Sequence, residues 1–154
     1  MKGLDALRQK GVTLAQLLAV SAVTAILAAL AYPVYTSYAQ SARLSSVRAA
    51  LLEDAHFMEG VYRQKGSFKV NSTTWPQLPV TEVEGYCIRL SGIARGATGE
   101  TFTLKAVSRN GAKPAVVRMD PALNTVVCEE TLSSCDDGMP VFKGNDKRCR
   151  ALGM

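Results

Sequence analysis

Histidine is nearly missing from this 154-residue chain, and the short motifs of several common enzyme classes are missing altogether. There is no G-x-S-x-G nucleophile elbow and no H-E-x-x-H zinc motif. The one histidine, His56, has no second histidine or cysteine beside it, which favours a structural role over metal binding. The glycines from Gly92 to Gly99 precede no Lys-Ser or Lys-Thr pair, so they do not form a phosphate-binding loop. We therefore expect neither an enzyme nor a bound cofactor or metal.

Cysteine is absent from the first 86 residues, and the four cysteines that follow form no C-x-x-C pair. Their spacing therefore argues against a zinc site or a thioredoxin-like motif and favours two disulfides made in an oxidising compartment. Four cysteines allow three pairings. We favour Cys87 with Cys128 and Cys135 with Cys149, while the other two pairings stay open.

Formal charge is missing from residues 12–32, which read VTLAQLLAVSAVTAILAALAY. About 20 such residues in a helix are enough to cross the hydrocarbon core of a bilayer. Lys2, Arg8 and Lys10 precede the stretch, and positive flanking charge holds a short N-terminus in the cytoplasm. The rest of the chain then emerges on the far side of the membrane, where disulfides form.

A cleaved secretory signal and a plain single-span anchor are the alternatives for this segment. Residues 29–31, Ala-Leu-Ala, offer the small-x-small pattern that signal peptidase recognises. Against a signal peptide, the stretch carries Thr13 and Gln16 at its start and continues past Pro33 into a helical pattern.

Residues 10–14, Lys-Gly-Val-Thr-Leu, resemble the prepilin peptidase site of type IV pilins. The resemblance implies a leader over residues 1–11 that is cut after Gly11, with methylation of the new N-terminus at Val12. It also implies a transmembrane or fibre-core half-helix over residues 12–33, with Pro33 where pilins commonly have a kinking proline. The expected partners are the prepilin peptidase, the inner membrane before assembly, and other pilin subunits, which contact the N-terminal helix in an extracellular pilus.

Gln16 departs from the pattern of major pilins, which carry glutamate at this position. The glutamate is thought to meet the N-terminal amine of a neighbouring subunit during assembly. An amide accepts a hydrogen bond but cannot form that ion pair, and an unpaired ammonium in apolar surroundings is costly. We therefore expect a minor pilin and not an abundant fibre subunit.

Residues 34–154 form the predicted globular head, which is long enough for a single core. An apolar stripe at helical spacing predicts that the helix continues to about Gln64, with Gly66 after it. Four short segments rich in Val, Ile, Thr and Tyr then predict an antiparallel sheet of about four strands. A helix packed on such a sheet gives the α+β architecture of the type IV pilin fold, with a disulfide-bounded C-terminal region. The stripe consists of Leu44, Val47, Leu51, Ala55, Met58 and Tyr62, and the strand segments are residues 86–90, 101–107, 115–119 and 125–129.

Four segments of the head are also similar to the PilV type of neisserial minor pilin, namely residues 51–59, 75–79, 87–96 and 142–149. This resemblance implies a low-abundance subunit that modulates adhesion to host cells and can influence DNA uptake. We place a candidate recognition surface for a host-cell receptor in the C-terminal region, because loops on a rigid scaffold are natural recognition surfaces. Its basic residues are Lys143, Lys147, Arg148 and Arg150.

A DNA receptor for natural transformation is the alternative function, ranked below adhesion. It would need the same four basic residues to converge with Arg89 and Arg95 into a positive stripe. A tip subunit that initiates assembly is a further alternative.

Overall fold

The computed structural model describes residues 13–152 of the chain. Its first element is a long helix, α1 (Leu14–Lys65), which contains Pro33. The helix begins in a capping box, in which the Thr13 N–H donates to Gln16 Oε1 at 3.0 Å and the Gln16 N–H donates to Thr13 Oγ1 at 3.4 Å. It ends just before Gly66, whose φ of 66° lies in the left-handed region that glycine adopts most easily. The predicted helix end is thus confirmed.

The chain divides into two compact units between Ser41 and Ala42. In the first unit every described side chain, from Thr13 to Ser41, is exposed. The most apolar 18-residue window of α1 has a mean hydropathy of 2.2, so by length and composition this helix could cross a membrane. The predicted domain boundary after Pro33 stays a prediction.

The second unit contains a six-stranded antiparallel sheet in which every strand pairs with the next one along the chain. Four of the strands match the predicted segments, but the predicted number of about four is too low. The two additional strands lie at the edges, where one has two residues and the other is rich in charged residues, so neither carries an apolar alternation. The strands are β1 (Glu82–Val83), β2 (Tyr86–Leu90), β3 (Leu104–Ser108), β4 (Val116–Met119), β5 (Thr125–Thr131) and β6 (Asp146–Ala151).

The main core lies between α1 and one face of this sheet. The predicted apolar stripe is confirmed: Leu51 and Met58 are fully buried, and the partly buried Tyr62 packs on the same core. Burying a side chain such as Leu51 contributes roughly 1.5–3 kcal/mol. The buried residues that the sheet adds to this core are Tyr86, Ile88, Leu90, Leu104, Ala106, Val117, Met119 and Val127.

The connection between α1 and β1 is irregular and is held by two hydrogen bonds. The Val80 N–H donates to Oδ1 of the buried Asp54 at 3.0 Å, and the Trp75 indole N–H donates to the Gly92 carbonyl at 3.0 Å. Trp75 is partly buried against the core, so the only tryptophan of the sequence packs locally.

The two disulfides join Cys87 to Cys135 and Cys128 to Cys149, so the favoured pairing is wrong. Cys87 lies on β2 and Cys128 on β5, with two strands between them. At about 4.8 Å between strands, the two Cα atoms would be roughly 14 Å apart, which is too far for a disulfide. Cys149 instead lies directly opposite Cys128 on the neighbouring strand, with the Cα atoms 4.0 Å apart.

Candidate functional site

The predicted processing residues, Gly11 and Val12, lie outside the described residues, so cleavage and methylation there stay predictions. The predicted assembly residues, Gln16 and Pro33, both lie on the exposed part of α1. The side-chain oxygen of Gln16 accepts the Thr13 N–H, so it caps the helix. A role of either residue in assembly also stays a prediction.

Three basic residues form a row across the face of the sheet that points away from α1. Arg89 on β2 lies opposite Lys105 on β3, and Lys105 lies opposite Arg118 on β4. We call these three residues the basic row. Because side chains alternate along a strand, the basic row shares its face with Cys87, Val107, Val116 and Cys128.

Residues 132–145, between β5 and β6, fold over the basic row, and we call them the covering loop. Phe142 from this loop is fully buried in a second, smaller core with Val107 and Val116. The Cys87–Cys135 disulfide ties the loop to β2. Burial of the apolar side chains therefore also brings Lys105 fully and Arg89 largely out of solvent, whereas the Arg118 side chain stays 40% exposed.

Lys105 is the centre of the contacts between the row and the loop. It is fully buried, and its Nζ lies 2.6 Å from Asp146 Oδ1. The same Nζ donates to Ser133 Oγ at 2.8 Å and to the Gly144 carbonyl at 3.4 Å. Ser133 lies near the start of the loop and Gly144 near its end, so Lys105 holds both ends together.

Arg89 holds the middle of the covering loop. Its guanidinium donates to Asp137 Oδ1 and to the Cys135 carbonyl, each at 2.6 Å, and lies 4.9 Å from the centre of the Phe142 ring. The Met139 N–H, which donates to Asp137 at 3.1 Å, is the main cause that lowers the pKa of this carboxyl, and Arg89 lowers it further. The carboxylate thus stays charged and paired.

The other carboxylates between β5 and β6 are paired as well. Asp146 also lies 3.7 Å from Arg118, and Asp136 lies 3.8 Å from Arg109. Glu129 and Glu130 both pair with Arg148, at 3.8 and 3.0 Å. Every acidic residue from position 129 to position 146 therefore has a cationic partner.

The four residues of the predicted recognition surface are all exposed. Lys143 lies on the covering loop, and Lys147, Arg148 and Arg150 lie on β6. Arg148 is in an ion pair, whereas the other three make no ion pair with any residue between positions 13 and 152. Whether these residues bind a ligand stays a prediction.

The predicted positive stripe adds Arg89 and Arg95 to these four residues, and the two additions lie in different surroundings. Arg89 is held beneath the covering loop, while Arg95 is exposed on the connection between β2 and β3. The sequence did not predict Lys105 as a partner of the loop, or Arg118 as a partner of Asp146. A signal was present, because Arg89, Lys105 and Arg118 each interrupt an otherwise apolar strand.

A cleft of about 700 Å³ opens beside the covering loop. Trp75 and Ile93 lie in its apolar wall, Val141 contributes from the loop, and Arg109 and Glu82 pair with each other within its lining. In the part of the chain that the structure describes, no three His, Cys, Asp or Glu side chains cluster closely enough to hold a metal ion.

The family model described as "Type IV minor pilin ComP, DNA uptake sequence receptor" matches residues 33–116. The solution NMR structure of the minor DNA-uptake pilin ComP from Neisseria subflava is 49% identical and covers 72% of this chain and 96% of its own, with a TM-score of 0.59. The global fold of the type IV pilin ComP from Neisseria meningitidis is 51% identical and covers 76% of this chain and 99% of its own, with a TM-score of 0.52.

A search of curated proteins gave no match. The family model and both of these solved structures are of ComP, so the finer resemblance to PilV gains no support from them, whereas the type IV pilin fold and the minor-pilin class are confirmed.

Proposed function

This chain belongs to the type IV minor pilin ComP family, and from that premise we propose that its head binds DNA for uptake through exposed cations of the C-terminal region. As a type IV pilin with an apolar N-terminal helix, it is an inner-membrane precursor that is later built into the pilus. The DNA receptor was the alternative in the sequence analysis, and it now fits the matched family better than modulation of adhesion does.

The pairing of the acidic residues carries the proposal. From position 129 to position 146 every carboxylate lies within 4.0 Å of a cation, which partly offsets its repulsion of a polyanion. Lys143, Lys147 and Arg150 stay exposed without an ion pair among the described residues. Lysine and arginine side chains of this kind neutralise phosphates and release counterions, which is the main source of DNA affinity.

The proposal is tested by fluorescence anisotropy with the full chain in non-ionic detergent and a labelled duplex that contains an uptake sequence. We expect the binding constant to fall with salt concentration. Replacing Lys143, Lys147 and Arg150 together by alanine should make the slope of log K against log salt less steep by about 2 to 3. The reason is that each lost phosphate contact removes about 0.9 from the magnitude of that slope. Affinity in low salt should fall at least about tenfold.

The matched control replaces three other exposed cations of the head, Arg43, Arg63 and Lys65, by alanine. All three lie on α1, which packs on the opposite face of the sheet from the covering loop. The net charge changes equally in both variants, so the control should keep most of the affinity. An equal loss in both variants would contradict the proposed surface, and the absence of any salt-dependent binding would contradict DNA binding itself.

A further inference from the structure

Leu132, at the start of the covering loop, is 80% exposed, more than any other large apolar side chain of the described chain. On the head, the exposed apolar side chain that follows it is Ile93, at 54%. A leucine this exposed leaves most of its apolar surface accessible, so a ligand that covered it would gain the free energy of removing that surface from water.

The backbone beneath Leu132 is held on both sides. The Thr131 hydroxyl donates to Asp146 Oδ1 at 2.7 Å, and the Ser133 N–H donates to Thr131 Oγ1 at 3.0 Å. Ser133 is itself buried, and its hydroxyl accepts a hydrogen bond from the Lys105 ammonium. Leu132 is therefore displayed between two anchored neighbours.

Gly144 packs against the same backbone from the other end of the covering loop. A Cβ at Gly144 would lie 3.0 Å from Ser133 Oγ and 3.4 Å from the Leu132 carbonyl carbon, so the two ends of the loop touch. Lys143 is the residue next to Gly144 in the chain. Leu132 and Lys143 therefore lie side by side at the surface.

Lys147 lies near Leu132 in the opposite direction along β5, toward Glu130. It is the partner of Glu130 across the β5–β6 pair, and Leu132 is two residues beyond Glu130. Strand spacings of about 3.3 and 4.8 Å place the Cα atoms of Leu132 and Lys147 on the order of 10 Å apart. The surface thus presents an apolar side chain between two lysines, and the negative charge of Glu130 is held by Arg148 at 3.0 Å.

We propose that Leu132 is a specificity-determining residue that contacts the 5-methyl group of a thymine, while Lys143 and Lys147 hold the flanking phosphates. The inference rests on the proposed DNA binding and adds sequence specificity, which the lysines cannot supply. Phosphates are alike in every sequence, so contacts to them carry no sequence information. The thymine methyl is the one apolar group on the base edges of the major groove, and an apolar side chain that is long enough to reach it from its backbone position can recognise it.

The test compares two duplexes of the same uptake sequence, one natural and one in which deoxyuridine replaces every thymidine. Anisotropy is measured with the full chain in detergent and with Leu132→Ala. The wild type should bind the natural duplex about fourfold more tightly for each methyl group that Leu132 covers. Leu132→Ala should bind both duplexes equally and should bind a scrambled duplex as well as the wild type does.

Ile93→Ala is the matched control, because it removes an exposed apolar side chain from another connection. It should keep the preference for the natural duplex. Equal binding of both duplexes by the wild type overturns the inference, as does a preference that survives in Leu132→Ala. A loss in Leu132→Ala that is equal for both duplexes would indicate insertion between bases and also overturns it. All three outcomes leave DNA binding in place, whereas a failure to bind any duplex removes both proposals.

Discussion

Two sets of cations in the head carry the same charge in opposite surroundings. Arg89, Lys105 and Arg118 lie in one row on the face of the sheet that the covering loop packs on, and each is paired with Asp137 or Asp146. Lys105 is fully buried and Arg89 is largely buried, whereas Arg118 lies at the exposed end of the row. Lys143, Lys147 and Arg150 are exposed and make no ion pair with another described residue. The comparison shows that burial and pairing, more than the number of basic residues, decide which charges a ligand can reach.

The two sets should therefore contribute to different properties. A charge taken out of water loses several kcal/mol of solvation, so a buried cation without its partner is strongly unfavourable. An exposed lysine loses little solvation and contributes little to stability. We infer that the basic row fixes the covering loop, and that the exposed set is available to phosphates.

The largest effect is expected from Lys105→Met, which removes the buried ammonium and leaves the more distant Arg118 as the one ion-pair partner of Asp146 among the described residues. Breaking one side of a buried pair should lower the free energy of unfolding by about 3–5 kcal/mol. Urea denaturation of the oxidised protein measures the change, with the fluorescence of Trp75 as the probe.

Lys147→Met is the matched control for that experiment, because it makes the same substitution at an exposed lysine. Its free energy of unfolding should stay within about 0.5 kcal/mol of the wild type. If the two variants lost equal stability, burial would not distinguish the two sets of cations.

A smaller effect on the free energy of unfolding is expected from the titration of Asp54. Its carboxyl is fully buried and makes no ion pair with any described residue. Burial raises its pKa to about 6, against the Val80 N–H bond, which lowers it. A raised pKa favours the protonated form in the folded state, so this stabilisation is full below the unfolded pKa of about 3.8 and is lost as the pH rises through about 6.

The unfolding free energy should accordingly increase by on the order of 1 kcal/mol between pH 7 and pH 5, relative to Asp54→Asn. The Asn variant keeps an acceptor for the Val80 N–H but cannot titrate, so it serves as the control. Urea denaturation of both proteins at the two pH values measures the difference. If the unfolding free energies of the two proteins changed with pH in parallel, the pKa of Asp54 would be the same in the folded and unfolded states. That result would contradict the raised pKa.

The helix and the inner strands could be predicted from the sequence because their apolar periodicity reflects burial on one side. Val47, Leu51 and Met58 repeat at helical spacing, and β2 to β5 contain short runs of β-branched or apolar residues. Strand β6 could not be predicted, since Asp-Lys-Arg-Cys-Arg-Ala has no apolar alternation and pairs on one side only.

The disulfide pairing and the state of the charges depend on strand order, which local sequence does not encode. Cys128 pairs with Cys149 because β6 returns beside β5. Lys105 meets Asp146 because the covering loop that folds over Lys105 leads directly into the start of β6. The sequence therefore indicated the exposed Lys143 and Lys147 but not their difference from the covered Arg89. The exposed position of Leu132 was equally invisible, because a leucine beside strand residues is usually buried.

The smallest effect, and the one that probes the exposed set most directly, is expected from Glu129→Gln combined with Glu130→Gln. Both carboxylates pair with Arg148, which otherwise belongs to the same exposed strand as Lys147 and Arg150. Their removal should free Arg148 for a phosphate, so affinity for duplex DNA should rise about threefold in low salt and the salt slope should steepen by about 0.9.

Glu53→Gln combined with Glu84→Gln gives the same change in net charge elsewhere on the head, where both residues are exposed. Long-range charge acts only within a Debye length of about 10 Å, so this control should leave the salt slope unchanged. Anisotropy titrations across several salt concentrations separate the two variants. A steeper slope in both variants, or in neither, would show that pairing with Glu129 and Glu130 does not keep Arg148 from contacting a phosphate.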